Sequence, residues 1–182
     1  MLSEKNVPWE PILVDLVKRE HREPGFLSLS PYGKVPVLTD GAFVMYESTI
    51  INEYLEEVFP APPLTFLDPA RRAEVRMWED YGDSAFLAPA EAIFIHQKGW
   101  RIFEEKELDR FRAELHQCLS RVEQRLEGRE FLVDRFTLAD IAFAPRAVML
   151  EELGIEVGPK MNNVRAWVQR LKSRESIGTL ES

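Results

Sequence analysis

Thiol chemistry is almost missing from this chain. Cys118 is the one cysteine in 182 residues, which excludes an intrachain disulfide framework and any cysteine-rich zinc site. A basic excess is missing too. Lys and Arg number 23 against 31 Asp and Glu, a formal net charge of −8 at pH 7. Nucleic acids and anionic membranes are met by clustered Lys and Arg, so neither is an expected partner. No apolar run reaches the roughly 18 residues of a membrane span. Glu4, Lys5 and Glu10 at the front argue against a signal peptide. Internal repeats and low-complexity tracts are absent. Together these point to an acidic protein of a reducing compartment, with the cytoplasm as its expected location. What is present is a hydrophobic content of 45%, enough for one large domain or two small ones.

Proline supplies the clearest punctuation. Pro60, Pro62, Pro63 and Pro69 fall within ten residues, and such a stretch can be neither regular helix nor central strand. The expected division is a first domain over 1–60, a linker over 61–69 and a second domain over 70–182. Before the linker the elements are short and mixed. Glu10 to Val14 reads as a strand and Pro24 to Leu29 as a brief helix or turn. Val35 to Leu38 and Phe43 to Tyr46 read as strands joined by Thr39-Asp40-Gly41-Ala42, whose Asp-Gly step signals a hairpin. Glu47 to Phe59 reads as a helix, with Ile50, Ile51, Tyr54, Leu55 and Val58 at helical spacing.

After the linker every pattern is helical. Arg71 to about Ile95 predicts one long helix with Val75, Trp78, Tyr81 and Phe86 inward. Leu108, Phe111, Leu115, Leu119, Val122 and Leu126 form an amphipathic stripe that Gly128 ends. Thr137-Leu138-Ala139-Asp140 predicts a capping box, with Asp where Glu or Gln is usual. Pro145 is expected to kink that helix by removing the bond to the Ile141 carbonyl. Val164, Trp167, Val168 and Leu171 mark a last packed helix.

One segment carries chemistry. Ser30-Pro31-Tyr32-Gly33-Lys34-Val35-Pro36-Val37-Leu38 is followed, after the hairpin, by Tyr46-Glu47-Ser48. Proline has no N–H for a ladder, so Pro36 belongs at a strand's first position. An X-Pro bond there can be cis, which would turn the Val35 N–H and C=O away from the sheet and towards a ligand. Glu47-Ser48 stands where strand gives way to helix, and the free N–H groups of a helix start attract a carboxylate. These groups suit a peptide ligand carrying both charges.

With these motifs the chain resembles the glutathione transferase superfamily over nearly its whole length, in its phi/theta-like flavour. His21-Arg22, Lys34-Val35-Pro36 and Glu47-Ser48 occur in the family's order, and Thr137-x-x-Asp140 is similar to its buried capping motif. The resemblance implies an α+β fold, an N-terminally truncated thioredoxin-like domain followed by an all-α helical bundle. It implies glutathione as co-substrate, no metal, a small apolar electrophile as second substrate, a role in detoxification and a homodimer. The residues it assigns to glutathione are His21, Arg22, Lys34, Val35, Pro36, Glu47 and Ser48. Glu47 would take the ammonium, Ser48 the γ-glutamyl carboxylate and Lys34 the glycine carboxylate.

In that family a first strand and a first helix precede the position equivalent to Glu4, and a Ser, Tyr or Cys at the start of that helix usually stabilises the glutathione thiolate. That position falls before Met1. A truncated chain, a degenerate αβ domain or a strand from another chain would each account for this, and the thiol-activating residue stays unknown. The chain as written is expected to be a poor transferase. Ser3, near the end of a helix by this alignment, is no credible catalyst. The alternative is a non-catalytic binding or scaffold protein on the same fold, since a fold alone does not fix a function. Asp140 is expected to be structural and Cys118 to be inert packing. Trp78, Tyr81, Phe86 and Phe94 are expected mainly in the core, with some of the last three lining an acceptor pocket.

Overall fold

In the computed structural model, which describes residues 1–178, the chain forms two compact units that meet in sequence at Pro63/Leu64. The first contains a short 3-10 turn at Glu20–Arg22, then α1 (Pro24–Leu27), β1 (Val37–Asp40), β2 (Phe43–Tyr46) and α2 (Ser48–Val58). The strands pair antiparallel from Val37↔Tyr46 to Asp40↔Phe43, so only Gly41 and Ala42 lie between them. Gly41 has φ 58°, the positive value that a two-residue hairpin turn of type II′ requires at its first central position. The Asp-Gly step therefore straddles the strand end and the turn. One sheet face is buried: Leu38 and Met45 pack on Ile51 and Leu55 of α2, joined by Met1, Leu2, Tyr54 and Phe59. The buried Lys5 ammonium pairs with the Glu56 carboxylate of α2 and donates to the Pro62 carbonyl at 2.7 Å, tying the front of the chain to the helix.

The structure corrects three readings here. Residues 10–14 form no strand. A strand needs a ladder partner, and the sheet among the described residues consists of β1 and β2 alone; Ile12 and Leu13 stand 84% and 93% exposed. β1 begins at Val37 rather than Val35, because Pro36 has no N–H to enter the ladder. Glu47 is the N-cap of α2 and Ser48 its first helical residue. The Val35–Pro36 and Ala61–Pro62 bonds are both cis.

The second unit is helical: α3 (Pro69–Tyr81), a π-helical turn (Gly82–Leu87), α4 (Ala88–Gln97), α5 (Glu105–Arg125), α6 (Leu138–Ala147), α7 (Asn162–Lys172) and the short α8 (Glu175–Gly178). Asp68 caps α3 by accepting from the Arg71 N–H at 2.9 Å, and Pro69 takes a first-turn position where its missing amide costs nothing. The expected single long helix is thus present but broken in mid-course by the π turn. Pro89 removes the amide that would close a regular turn onto the Ala85 carbonyl. At Gly82 a Cβ would lie 2.7 Å from the Phe143 ring, so only glycine lets α6 approach this closely. Phe86 packs tilted on Phe143 and Phe143 edge-to-face on Trp167, with ring centroids 5.1 and 5.8 Å apart. Around them lie the stripe of α5, with Leu115, Leu119 and Val122 fully buried, and Leu171 of α7. Glu123 of α5 caps α7 from outside, accepting from the N–H groups of Asn163 (3.1 Å) and Val164 (2.8 Å). α6 runs through Pro145 without ending.

Asp140 is the polar centre of this unit. Its side chain is fully buried. Oδ1 accepts from the Leu132 N–H (3.0 Å) and the Trp167 Nε1–H (2.9 Å), while Oδ2 accepts from the N–H (3.0 Å) and hydroxyl (3.4 Å) of Thr137. Burial pushes its carboxyl up to about 6 against the pull of these donors, which leaves it ionised at neutral pH. Donors surround both oxygens, so a side-chain NH₂ placed at either would face a donor. Each buried donor stripped of its acceptor costs about 1–3 kcal/mol. We therefore expect Asp140→Ala to lose at least about 4 kcal/mol, in the range reserved for broken buried networks, and Asp140→Asn to lose a smaller but clear amount. Urea unfolding at pH 7 measures both; an Asn variant as stable as the parent contradicts the donor-only surroundings.

Candidate functional site

The hairpin register decides what the first unit can bind. Val37 pairs with Tyr46 at the open end of the ladder. Pro36 and Glu47 are the next residues in sequence on either side of that last pair. The two motifs, separate in sequence, thus adjoin the same end of the hairpin. Val35 lies outside the ladder and is 45% exposed.

Glu47 is the unusual residue. It adopts φ 70°, ψ 117°, a conformation that costs a non-glycine residue of order 1–3 kcal/mol and tends to occur at functional sites. Its carboxylate makes no side-chain cap to α2; it is exposed and has no ion-pair partner among the described residues. The first bond of α2 runs from the Ile51 N–H to the Glu47 carbonyl at 3.0 Å. The N–H groups of Ser48, Thr49 and Ile50 precede that bond and have no place in the helical ladder. A fixed negative charge thus sits beside a helix start that favours an anion.

The other predicted residues gather at the preceding loop. Arg22 donates through Nη1 to the Tyr32 carbonyl at 3.2 Å. Gly33 has φ 58°, and a Cβ there would stand 2.8 Å from the His21 carbonyl oxygen, so the turn of His21 and Arg22 lies directly against the loop that leads into Lys34. His21 is half-buried, and its Nδ1 has no hydrogen-bond partner. Lys34 is exposed and free of ion pairs among the described residues. The turn of His21 and Arg22 therefore lies against the Tyr32–Gly33 loop that precedes Lys34, while Pro36 and Glu47 adjoin the last pair of the hairpin in sequence.

Ser30 has a role that the sequence reading missed. Its buried hydroxyl donates to the Lys34 carbonyl at 3.0 Å and accepts from the Lys34 N–H at 3.2 Å. It fixes the backbone that presents Lys34. A serine four residues ahead of the lysine, with Pro31 and Gly33 between, is the signal that was available.

In the helical unit a cleft of about 370 Å³ opens beside α5, lined by Tyr81 but not by Phe86 or Phe94. Phe86 is fully buried on Phe143, and Phe94 meets Trp100 at 6.0 Å and the Arg146 guanidinium at 4.1 Å. Among the described residues no cluster of side chains suits a metal ion, and no helix is long and apolar enough to cross a membrane. Cys118 borders the cleft. Burial pushes its thiol up to about 11, with the Tyr81 hydroxyl and Arg121 pulling the other way. A thiol is reactive as its thiolate, so at pH 7.5 Cys118 is expected to resist Ellman's reagent in the folded protein and to titrate fully in guanidinium. Stoichiometric reaction of the folded chain within minutes is the contrary result.

Comparison with known proteins gives one answer at both ends of the chain. Residues 1–58 match the family model described as glutathione S-transferase, N-terminal domain, and residues 86–175 match the glutathione S-transferase C-terminal domain. Glutathione S-transferase F4 of Arabidopsis thaliana is 33% identical over 187 residues, covering 97% of this chain and 76% of the relative. The crystal structure of glutathione transferase F2 from Populus trichocarpa superposes with a TM-score of 0.85 at 27% identity, covering 99% of this chain and 88% of that one. The beta-etherase LigF from Sphingobium does so with a TM-score of 0.81 at 30% identity, covering 99% and 90%. With two domain models in the family's order and relatives matched along almost all of its length, the chain belongs to the glutathione S-transferase family.

Proposed function

We propose that this protein binds glutathione along residues 21–48 and conjugates or exchanges it on small apolar electrophiles, with 1–60 as its thioredoxin-like glutathione-binding domain and 70–182 as its helical domain. The observation that carries the reading is Glu47: an exposed carboxylate held at φ 70° beside the N–H groups that open α2. In this assignment Glu47 pairs with the ligand's ammonium. The Ser48 hydroxyl and the helix-start amides take the γ-glutamyl carboxylate. The Val35 main chain, set by Pro36, takes the peptide backbone, and Lys34, flanked by His21 and Arg22, takes the glycine carboxylate as a point charge. Chemistry then runs through the ligand's sulfur. The thiol gives up its proton, sulfur attacks the electrophilic carbon, and a carbon–sulfur bond forms. The displaced electron pair leaves with a leaving group or is protonated on the acceptor.

The relatives' names favour this reading over the non-catalytic alternative: F4 and F10 of Arabidopsis thaliana, at 33% and 31% identity, are both called glutathione S-transferases. Assembly as a two-fold homodimer, the commonest closed arrangement, and residence in the cytoplasm belong to the same proposal.

Glu47 separates function from folding. Glu47→Ala removes one partner of a charge-assisted contact and should weaken glutathione binding by about 1.5–3 kcal/mol, or about ten- to a hundredfold. Glu47→Gly loses the same carboxylate but relieves the positive φ, so it should bind as weakly while unfolding at equal or higher denaturant. Calorimetry and urea unfolding on the three proteins test this. Undiminished affinity in both variants removes Glu47 from the site, and no glutathione binding by the folded parent removes the site itself. For assembly, sedimentation equilibrium at micromolar concentration should return a dimer; the mass of the 21.1 kDa chain alone contradicts it.

A further inference from the structure

The segment that precedes the turn of His21 and Arg22 has no part in the glutathione assignment. Residues 7–15 carry no regular secondary structure, and Pro8 and Pro11 have no amide to give. The main-chain N–H and C=O groups of Trp9, Glu10, Ile12, Leu13 and Val14 make no hydrogen bond among the described residues. Trp9 and Val17 are 55% and 73% exposed, and between them stand the still more exposed Ile12 and Leu13. An apolar side chain exposed singly is ordinary. Four within nine residues expose on the order of 500 Å², towards the top of the range for the largest apolar patch on a monomer.

The charges around this run are of two kinds. Asp15 is matched within the chain. Its carboxylate pairs with the Lys18 ammonium at 3.1 Å and accepts from the Lys18 N–H at 2.9 Å, while its own N–H donates to the Glu20 carboxylate at 2.7 Å. Glu10 and Arg19 are unmatched: both are exposed, and neither makes an ion pair among the described residues. One precedes the apolar run and the other follows it. The segment is therefore acidic at its front, apolar in its middle and basic at its end.

We propose that residues 9–19 form an interface with a second copy of this chain, the two segments lying antiparallel about a two-fold axis. Glu10 then meets the partner's Arg19, and the apolar middles of the two runs cover each other. A closed two-fold contact requires a patch that complements itself. Opposite charges at the two ends meet that requirement only in the antiparallel sense, since a parallel contact would set acid against acid and base against base. Two such faces remove roughly 1,000 Å² from water, about what a specific interface needs. The inference rests on the two-fold assembly proposed above and names its contact surface.

The test is sedimentation velocity of the full chain from submicromolar to high micromolar concentration, with circular dichroism to check that each variant is folded. Glu10→Arg sets Arg against Arg, and Arg19→Glu sets Glu against Glu, twice in each dimer. Either variant alone should raise the dimer dissociation constant about tenfold or more. Mixed in equal amounts, the two variants restore both pairs, and the mixture should dimerise as the parent does. Leu13→Asp, which places a charge in the apolar middle, should leave a folded monomer where the parent is a dimer. Should Leu13→Asp not fold, the two charge variants, at exposed positions, still decide. A dimer that persists unchanged in all three variants overturns this interface and leaves the two-fold assembly standing. A monomeric parent overturns both. A mixture no more dimeric than its components overturns the antiparallel arrangement.

Discussion

The register of one short hairpin governs the first unit. Gly41 can take φ 58° and so closes the turn in two residues, which fixes Val37 opposite Tyr46. A slip of one residue would turn Leu38 and Met45 out of the apolar cluster and present the opposite faces to α2. The same slip would shift Pro36 relative to Glu47, which flank the last pair of the ladder in sequence. Packing and site geometry are thus set by one constraint. The apolar contacts with Ile51 and Leu55, which hold the sheet on α2, thus also fix the hairpin end that Pro36 and Glu47 adjoin.

The helical unit solves a different problem, how three segments meet without leaving polar groups unmatched. Asp140 gathers the loop at Leu132, the start of α6 at Thr137 and the Trp167 ring of α7 onto one carboxylate. Glu123 does the same job at smaller scale by closing the start of α7. Both are acidic side chains set at helix starts, where the free N–H groups favour negative charge. Burial raises the cost of losing either partner, so these contacts specify which helices meet as well as how strongly.

Much of this was legible in the sequence because the decisive residues act locally. The α5 stripe, the Thr137–Asp140 capping box and the Val37–Tyr46 hairpin each depend on spacing within a few residues. The failures have a common cause in distant contacts. The apolar run Ile12-Leu13-Val14 describes a strand only if another strand lies beside it, and none does among the described residues. The π turn depends on Pro89 and on the approach of Phe143 to Gly82, which helical periodicity does not report. The position of Ser48 inside α2, with Glu47 as the cap, is set by the backbone angle of Glu47, and propensity alone would favour serine as the cap. Ser30 escaped because its partner, the Lys34 backbone, gives no side-chain signature.

Charge pairing separates the residues that hold the fold from those available to a ligand. Lys5 and Glu56 are buried and matched; Arg146 and Glu91 are matched across two helices at 2.6 Å; Arg112 holds both Glu105 and Asp109. In an acidic chain, cations have carboxylates within easy reach. Lys34 and Arg121 nevertheless have none among the described residues. Exposed ion pairs contribute little stability, so a fold loses little by leaving such a cation open. Glu47 completes the pattern with the opposite sign, an unmatched carboxylate held in a backbone conformation that costs stability. A contact omitted at small cost is weak grounds for a site, but a strained backbone that keeps a charge exposed is stronger. By that measure the hairpin end at Glu47 is the stronger ground for the proposed glutathione assignment.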